Sequence, residues 1–305
     1  MSSDKEKRQE KGKEYSLRDY LGIYLRDIRT NSSNVNDELE IRFGTNYKNK
    51  ITQIQFDNTI RKLYSLGFKM ENMEGDYKLN ITPEFIDFKT QKSKQSNLRV
   101  EIAGLSNISN YCKSNTFDFS NPPPYITFLK KTTKKNQETY LNPIDNKNFH
   151  FRVNYKMENK FQVESSHTNK HLLSLLSNWS HSKKTFRFIK RFTMYHDDLP
   201  FNIDLSIVKS SITKYNFRTG RRYLLPTLKI EESNVFNNPE NYEIELELNN
   251  SKINDMQLEL SNTKEQFSQI IENKIKKNIK YILSGLQNSN FPISYTEQHN
   301  ILREY

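Results

Sequence analysis

The sequence predicts an α+β fold, a closed antiparallel β-barrel whose charged strand faces line the bore and whose apolar faces are covered by helices. Three observations predict it. Two segments far apart in the chain, Glu38-Leu39-Glu40-Ile41-Arg42-Phe43 and Glu243-Ile244-Glu245-Leu246-Glu247-Leu248, alternate charged and apolar residues without a break. Successive strand side chains point to opposite faces, so each segment gathers its carboxylates on one face and its apolar residues on the other. Several further segments set a basic or polar face against an apolar one. Four stretches have helical apolar spacing, enough to cover a barrel whose lumen is polar.

In chain order, residues 1–14 read as a disordered basic tail, and 15–287 as one domain. Ser16 is placed to cap a helix running to about Arg29, with Leu17, Tyr20, Leu21, Tyr24 and Leu25 on one face. The polar turn Asn31–Asp37 leads into the first glutamate strand. Phe56–Leu66 has helical spacing and stops near Gly67. Phe68–Phe88 holds one or two irregular strands, and Asn97–Ile102 alternates with Arg99 and Glu101 on one face. Ile108–Ser114 is a short helix or turn, Pro122-Pro123-Pro124 a rigid connector, and Tyr125–Thr132 a strand. Phe149–Glu158 sets Arg152, Asn154, Lys156 and Glu158 against Phe151, Val153, Tyr155 and Met157.

An amphipathic helix follows over His167–Trp179, built on Leu172, Leu173, Leu175 and Leu176. Thr185–Tyr195 puts Arg187, Ile189, Arg191 and Thr193 on one side, and Phe201–Ser210 has Asn202, Asp204 and Ser206 on its polar side. Asp197-Asp198 between them makes the two a hairpin. Thr227–Glu231 and Tyr242–Leu248 are expected to form another pair. Asn262–Leu286 is a long helix ending near Gly285, and 288–305 reads as a linker or the start of a downstream domain.

Net charge is +11, which points to a polyanionic partner such as RNA, DNA, nucleotide or polyphosphate. The single cysteine, Cys112, excludes an intrachain disulfide and multi-cysteine zinc sites and fits a reducing compartment. No run of apolar residues is long enough for a membrane span, and the charged start of the chain has no secretory signal. His167 and His171 have the spacing of a metal pair but no third ligand, so they read as a solvated helix face. Cys112 and Trp179 read as core, and the Lys274–Lys280 run as a wet helix face.

The polar faces together hold clustered carboxylates and clustered Arg and Lys. A barrel lined this way has a natural ligand in a polyphosphate with a divalent cation, Mg²⁺ or Mn²⁺, since its ion donors are all oxygen. Arginine grips phosphate oxygens with a planar fork and lysine acts as a point charge. Either acidic strand alone is more simply a solvated edge strand. Both together, with matching basic strands, are not.

Glu38-Leu-Glu40-Ile-Arg42, Arg187-x-x-x-Arg191, Asn202-Ile-Asp204-Leu-Ser206-Ile-Val208-Lys209 and Glu243-Ile-Glu245-Leu-Glu247 occur in the order found in triphosphate tunnel metalloenzymes. Between them, Arg99-Val-Glu101-Ile-Ala-Gly followed by Tyr111-Cys112 is similar to the RNA 5′-triphosphatase domain of mRNA capping enzymes from large DNA viruses. The resemblance spans Asp37 to Asn250. It implies an eight-stranded tunnel and metal-dependent removal of the γ-phosphate from nascent RNA. It implies that Glu38, Glu40 and Glu247 hold Mg²⁺ or Mn²⁺, that Glu245 orients the attacking water, and that Glu243 organises basic groups. Arg42, Arg99, Lys156, Arg187 and Arg191 would bind phosphates, with Asp204, Ser206 and Glu101 in support.

The chain departs from the family pattern at Ile189, where a second basic residue is usual, and at Asn202, where Arg or Lys is common. Implied partners are 5′-triphosphate RNA and nucleoside triphosphates, in a cytoplasmic setting or, for a virus, its factory or virion. The chain has no Lys-x-Asp-Gly nucleotidyl-transfer motif and no Gly-rich methyl-donor loop, so guanylyltransferase and methyltransferase domains are expected in a covalent continuation. A general tripolyphosphatase or nucleoside triphosphatase, and a non-catalytic RNA-binding module, are the competing readings.

Overall fold

The computed structural model describes residues 15–27, 35–45, 50–87, 89–118, 123–136, 139–161, 170–259 and 264–303. Within them, eight strands close into an antiparallel barrel: β1 (Val35–Phe43), β2 (Asp76–Asp87), β3 (Leu98–Ala103), β4 (Ile126–Thr133), β5 (Phe151–Phe161), β6 (Lys184–Tyr195), β7 (Phe201–Ser210) and β8 (Asn241–Leu248). Around the barrel they run β1-β5-β4-β3-β2-β6-β7-β8 and back to β1. The closing pair aligns Asp76–Pro83 of β2 with Lys184–Arg191 of β6. Closure leaves no long unpaired edge among these strands. It also brings the two glutamate strands side by side, with Glu40 of β1 directly opposite Glu247 of β8.

Among the described residues, seven helices lie outside: α1 (Leu17–Asp27), α2 (Gln53–Ser65), α3 (Leu105–Ser114), α4 (Lys170–Ser177), α5 (Asn250–Glu259), α6 (Lys264–Gln287) and α7 (Tyr295–Arg303). The apolar core is therefore external to the barrel and comes in two parts. Leu39, Ile41, Tyr155, Ile203, Leu205, Ile244 and Leu246 pack outward against Tyr20 and Tyr24 of α1, Phe56 and Leu63 of α2, and Ile271, Ile275 and Ile282 of α6. Leu79, Ile81, Val100, Ile102, Phe128 and Phe186 pack against Ile108 and Tyr111 of α3 and Leu172, Leu175 and Trp179 on the α4 side. Each such side chain contributes roughly 1.5–3 kcal/mol by leaving water, so the barrel is stabilised by what surrounds it. A chain only 34% hydrophobic can fold this way because its barrel interior needs no apolar filling.

Local signals set the helix starts. Ser16 and Asp19 cap α1 reciprocally, Asp19 N–H donating to Ser16 Oγ at 3.2 Å and Ser16 N–H to Asp19 Oδ2 at 2.8 Å. Thr52 and Gln55 form a capping box at α2, which starts three residues before the predicted Phe56. Gly67, at φ +90°, turns the chain after α2 in a conformation that disfavours other residues.

Two expectations are corrected. Residues 227–231 do not pair with β8, whose neighbours are β7 and β1; Thr227 instead bridges Lys184, and Glu231–Ser233 is a short 3₁₀ turn. Gly285 does not end the long helix. It lies within α6, and Asn288, at φ +49°, follows the last helical residue. The predicted tail, His167, and the predicted helix residues Ile28 and Arg29 lie outside the described residues.

Candidate active site

Fifteen of the nineteen residues lining the lumen are ionic, and strand alternation puts them there. On β1 the parity that buries Leu39 and Ile41 outside turns Glu38, Glu40 and Arg42 inward. The same parity on β8 turns Glu243, Glu245 and Glu247 inward. Lys156 and Glu158 of β5, Arg99 and Glu101 of β3, and Arg187, Ile189 and Arg191 of β6 join them as expected, whereas Arg152 instead lies 3.4 Å from Asp145 and is not on this lining. The lining residues enclose a cavity of about 370 Å³, within the size range of small-ligand sites. The structure also brings in Lys160 of β5, Lys78 and Asn80 of β2, and Thr127, Leu129 and Lys131 of β4, which the sequence alone does not assign to the lumen.

Charge in this lumen is divided by wall. The neighbouring strands β1 and β8 contribute five glutamates and Arg42, whereas the other strands contribute seven cations (Lys78, Arg99, Lys131, Lys156, Lys160, Arg187, Arg191) and two glutamates. Ion pairs join the walls. Lys131 Nζ lies 2.6 Å from Glu38 and 3.2 Å from Glu158, and Lys156 Nζ lies 2.5 Å from Glu40. Arg42 bridges Glu245 at 2.6 Å and Glu243 at 3.3 Å, while Arg187 reaches Glu243 at 2.7 Å. Arg191 is held by Asp204 at 2.7 Å and donates to Ser206 Oγ at 3.2 Å. Asn154 donates to Glu40 at 3.1 Å, and Glu101 pairs with Lys78 at 3.0 Å.

Burial sets the protonation of this cluster. Burial raises the Glu38 carboxyl, against the pull of Lys131. Burial would raise Glu40 as well, but Lys156 beside it holds it below the usual carboxylate range. Glu245 is raised by burial despite Arg42. Glu247 is pushed up to about 8, first by burial and then by Glu38 and Asp204. It has no ion pair or hydrogen bond of its own among the described residues. Glu247 also lines a second cavity of about 360 Å³ with Glu71, Thr193, Asn202, Asp204 and Asn250.

The two departures from the family pattern resolve differently. Ile189 does face the lumen, and Lys190 does not substitute for a missing charge: it lies outside, 5.2 Å from the rings of both Tyr77 and Phe192. Directly opposite Ile189 in the sheet is Lys78, which brings a cation to that part of the lumen. Asn202 lines the second cavity beside Glu247. Of the other candidates, Trp179 is core and Cys112 is half-buried beside it, while His171 lies where no side-chain placement is described.

No protein-family model and no curated protein matches the chain. Among solved structures it is similar to S. pombe Pct1 RNA triphosphatase in complex with the Spt5 CTD. That likeness has 11% sequence identity and a TM-score of 0.39, over 89% of this chain and 90% of the other.

Proposed function

We propose that this chain is a metal-dependent RNA 5′-triphosphatase, removing the γ-phosphate of nascent mRNA in the first step of capping. One observation supports it above the rest: a closed tunnel with five glutamates on one wall and seven cations on the facing strands. A triphosphate end with a divalent cation has the complementary pair of charges.

The donor set fits Mg²⁺ or Mn²⁺. Its ligands are oxygens only, and Glu247, opposite Glu40 and raised first by burial and then by Glu38, is a carboxylate short of a cation. As the side chains stand, Lys131 and Lys156 hold Glu38 and Glu40, and no three acidic or histidine side chains among the described residues gather closely enough to ligate an ion. Glu38, Glu40 and Glu247 would hold the ion, which when bound neutralises γ-phosphate charge.

The remaining roles fall to the chain's own side chains. Arg42, Arg99, Lys156, Arg187 and Arg191 bind phosphate oxygens. Arg99 Nε is buried without a hydrogen-bond partner among the described residues, a donor that a phosphate oxygen satisfies. Asp204 and Ser206 aim Arg191, Glu243 aims Arg187 and Arg42, and Glu101 aims Lys78. Glu245, made more basic by burial, accepts a hydrogen bond from the attacking water and then its proton. The water oxygen bonds to the γ-phosphorus as the bond to the β–γ bridging oxygen breaks. The products are diphosphate-ended RNA and inorganic phosphate. Positioning and electrostatic stabilisation are most of what phosphoryl transfer asks of a protein.

Among the described residues no aromatic side chain lines the cavity to read a base. That favours a second reading of the same site, a general tripolyphosphatase or nucleoside triphosphatase. Guanylyl and methyl transfer then belong to a covalent continuation or to other proteins.

Phosphate release from triphosphate-ended RNA and from ATP, with Mg²⁺ and Mn²⁺ compared, tests the proposal. Glu38→Ala and Glu247→Ala should each abolish release while melting as folded proteins. Full activity in both ends the reading. No turnover with any divalent ion leaves a non-catalytic RNA-binding module.

A further inference from the structure

We propose that an exposed hairpin over Thr213–Leu224 is a contact for single-stranded RNA at one end of the tunnel. Two short antiparallel strands, Thr213–Asn216 and Arg221–Leu224, make it. Its turn is defined: Asn216 Oδ1 accepts from the N–H groups of Arg218 and Thr219 at 3.0 and 3.2 Å, and Gly220 takes φ +65°.

The composition of this hairpin is unlike that of the barrel strands. It has four basic residues (Lys214, Arg218, Arg221, Arg222), three aromatics and no acid. The aromatics are not core. Tyr215, Phe217 and Tyr223 expose 49%, 89% and 45% of their surfaces. Rings and cations are interleaved, since Lys214 stands opposite Tyr223 and Tyr215 opposite Arg222. Tyr215 and Phe217 also meet edge to face at 5.1 Å. A two-stranded hairpin is marginal by itself and loses free energy by leaving rings in water, so a solvated structural role explains neither the rings nor the charge. Exposed rings beside cations are what single-stranded nucleic acid requires, bases stacking on the rings and phosphates meeting the cations.

The hairpin's root is at the tunnel rim. Ser211 N–H donates to Phe186 O at 2.9 Å, and on the return Thr227 exchanges backbone hydrogen bonds with Lys184 at 2.7 and 2.9 Å. Both ends are thus tied to the first residues of β6, and the next residue, Arg187, lines the lumen. A strand whose 5′ end lies among the tunnel cations can continue across the hairpin. The inference deepens the triphosphatase reading and rests on it for the placement of the 5′ end, but the strand contact itself needs no turnover.

Binding of a fluorescent 5′-hydroxyl single-stranded RNA of about 15 nucleotides separates the two. The full chain is compared with Tyr215→Ala/Phe217→Ala and with Lys214→Ala/Arg218→Ala, each checked for an unaltered melting temperature. The aromatic pair should weaken binding by about 10-fold or more, since stacking on one ring contributes about that much. The basic pair should make the slope of log K against log salt shallower by about 1.4. With triphosphate-ended RNA as substrate, KM should rise in both variants by at least ten times any change with ATP. Wild-type RNA affinity and salt slope in both variants overturn the proposal and leave the rings to a protein partner. Reduced RNA binding in a chain that hydrolyses nothing upholds the hairpin and removes the triphosphatase reading instead.

Discussion

Lys131 places one ammonium between two carboxylates that are almost fully buried, Glu38 and Glu158, with 5% and 7% exposure. Burial alone would lower its pKa, but Glu38 and Glu158 together hold it above the ordinary lysine value. It stays charged, acting as an internal counter-ion on the carboxylate proposed to take the metal. Lys131→Met leaves both carboxylates without it, at a cost on the order of 2 kcal/mol, the usual range for a charged hydrogen bond. Without divalent ions the variant should melt lower than wild type. Mg²⁺ or Mn²⁺ should then raise its melting temperature more than wild type's, because the ion no longer competes with an ammonium for Glu38. Equal ion-induced shifts in thermal melts of the two proteins would place Glu38 outside the cation site.

At the scale of elements, Gly285 fixes how α6 lies on α2. A Cβ built there would come within 2.6 Å of Thr59 Cα and 2.9 Å of Thr59 Oγ1, and Thr59 is fully buried. Alanine favours a helix over glycine by up to ~1 kcal/mol, whereas forcing an atom into a packed contact costs roughly 1–3 kcal/mol. The blocking atom is backbone and cannot rotate away, so the clash decides the sign. Gly285→Ala should lower the midpoint of denaturant unfolding; a higher midpoint would show that the helices slide apart freely. The glycine's helical role was not legible, because a glycine near the end of a periodic stretch looks the same whether it stops the helix or admits a neighbour. The glutamate strands were legible, because unbroken alternation assigns every side chain to a face. Their contact across some two hundred residues was not, and nearness in sequence points to 227–231 as the partner of β8 instead. Lys78 and Lys131 are lumen cations that the sequence alone leaves unassigned, because 68–88 reads as one or two irregular strands and 125–132 as a strand with no face singled out. The hairpin over 213–224 has strands of only four residues, too short and too polar to stand out as a strand pair in the sequence.

The whole molecule keeps its polar groups inside the barrel and its apolar core outside it, and that core is rich in tyrosine. Three phenols tie α1 to its surroundings: Tyr20 donates to the Asn142 carbonyl, Tyr24 to Asn250 Oδ1, and Tyr155 to Asp27 Oδ2 at 3.0 Å. Burial lifts Tyr20 to about 12. Tyr24 is pushed up by burial and then by Glu247 and Asp37, and Tyr155 by burial and then by Asp37 and Asp27. The unfolded chain releases these protons near pH 10 and the folded one retains them. Their stabilisation is therefore complete below pH 10 and lost as pH climbs above it, by about 1.4 kcal/mol per pH unit for each phenol. Lys184 has the opposite sign in a lower window. Burial pulls it down to about 8 from 10.5, so it sheds its proton first in the fold and adds stability between those values. Melting temperature should hold or rise slightly from pH 8 to 10 and then fall steeply, together with the appearance of tyrosinate absorbance. Tyr155→Phe loses the bond to Asp27, at about 1–2 kcal/mol at pH 8, yet should fall less steeply above pH 10, since one retained proton is gone. Equal alkaline slopes in the two proteins would mean that α1 detaches before the barrel unfolds, and that its phenols do not belong to the cooperative unit.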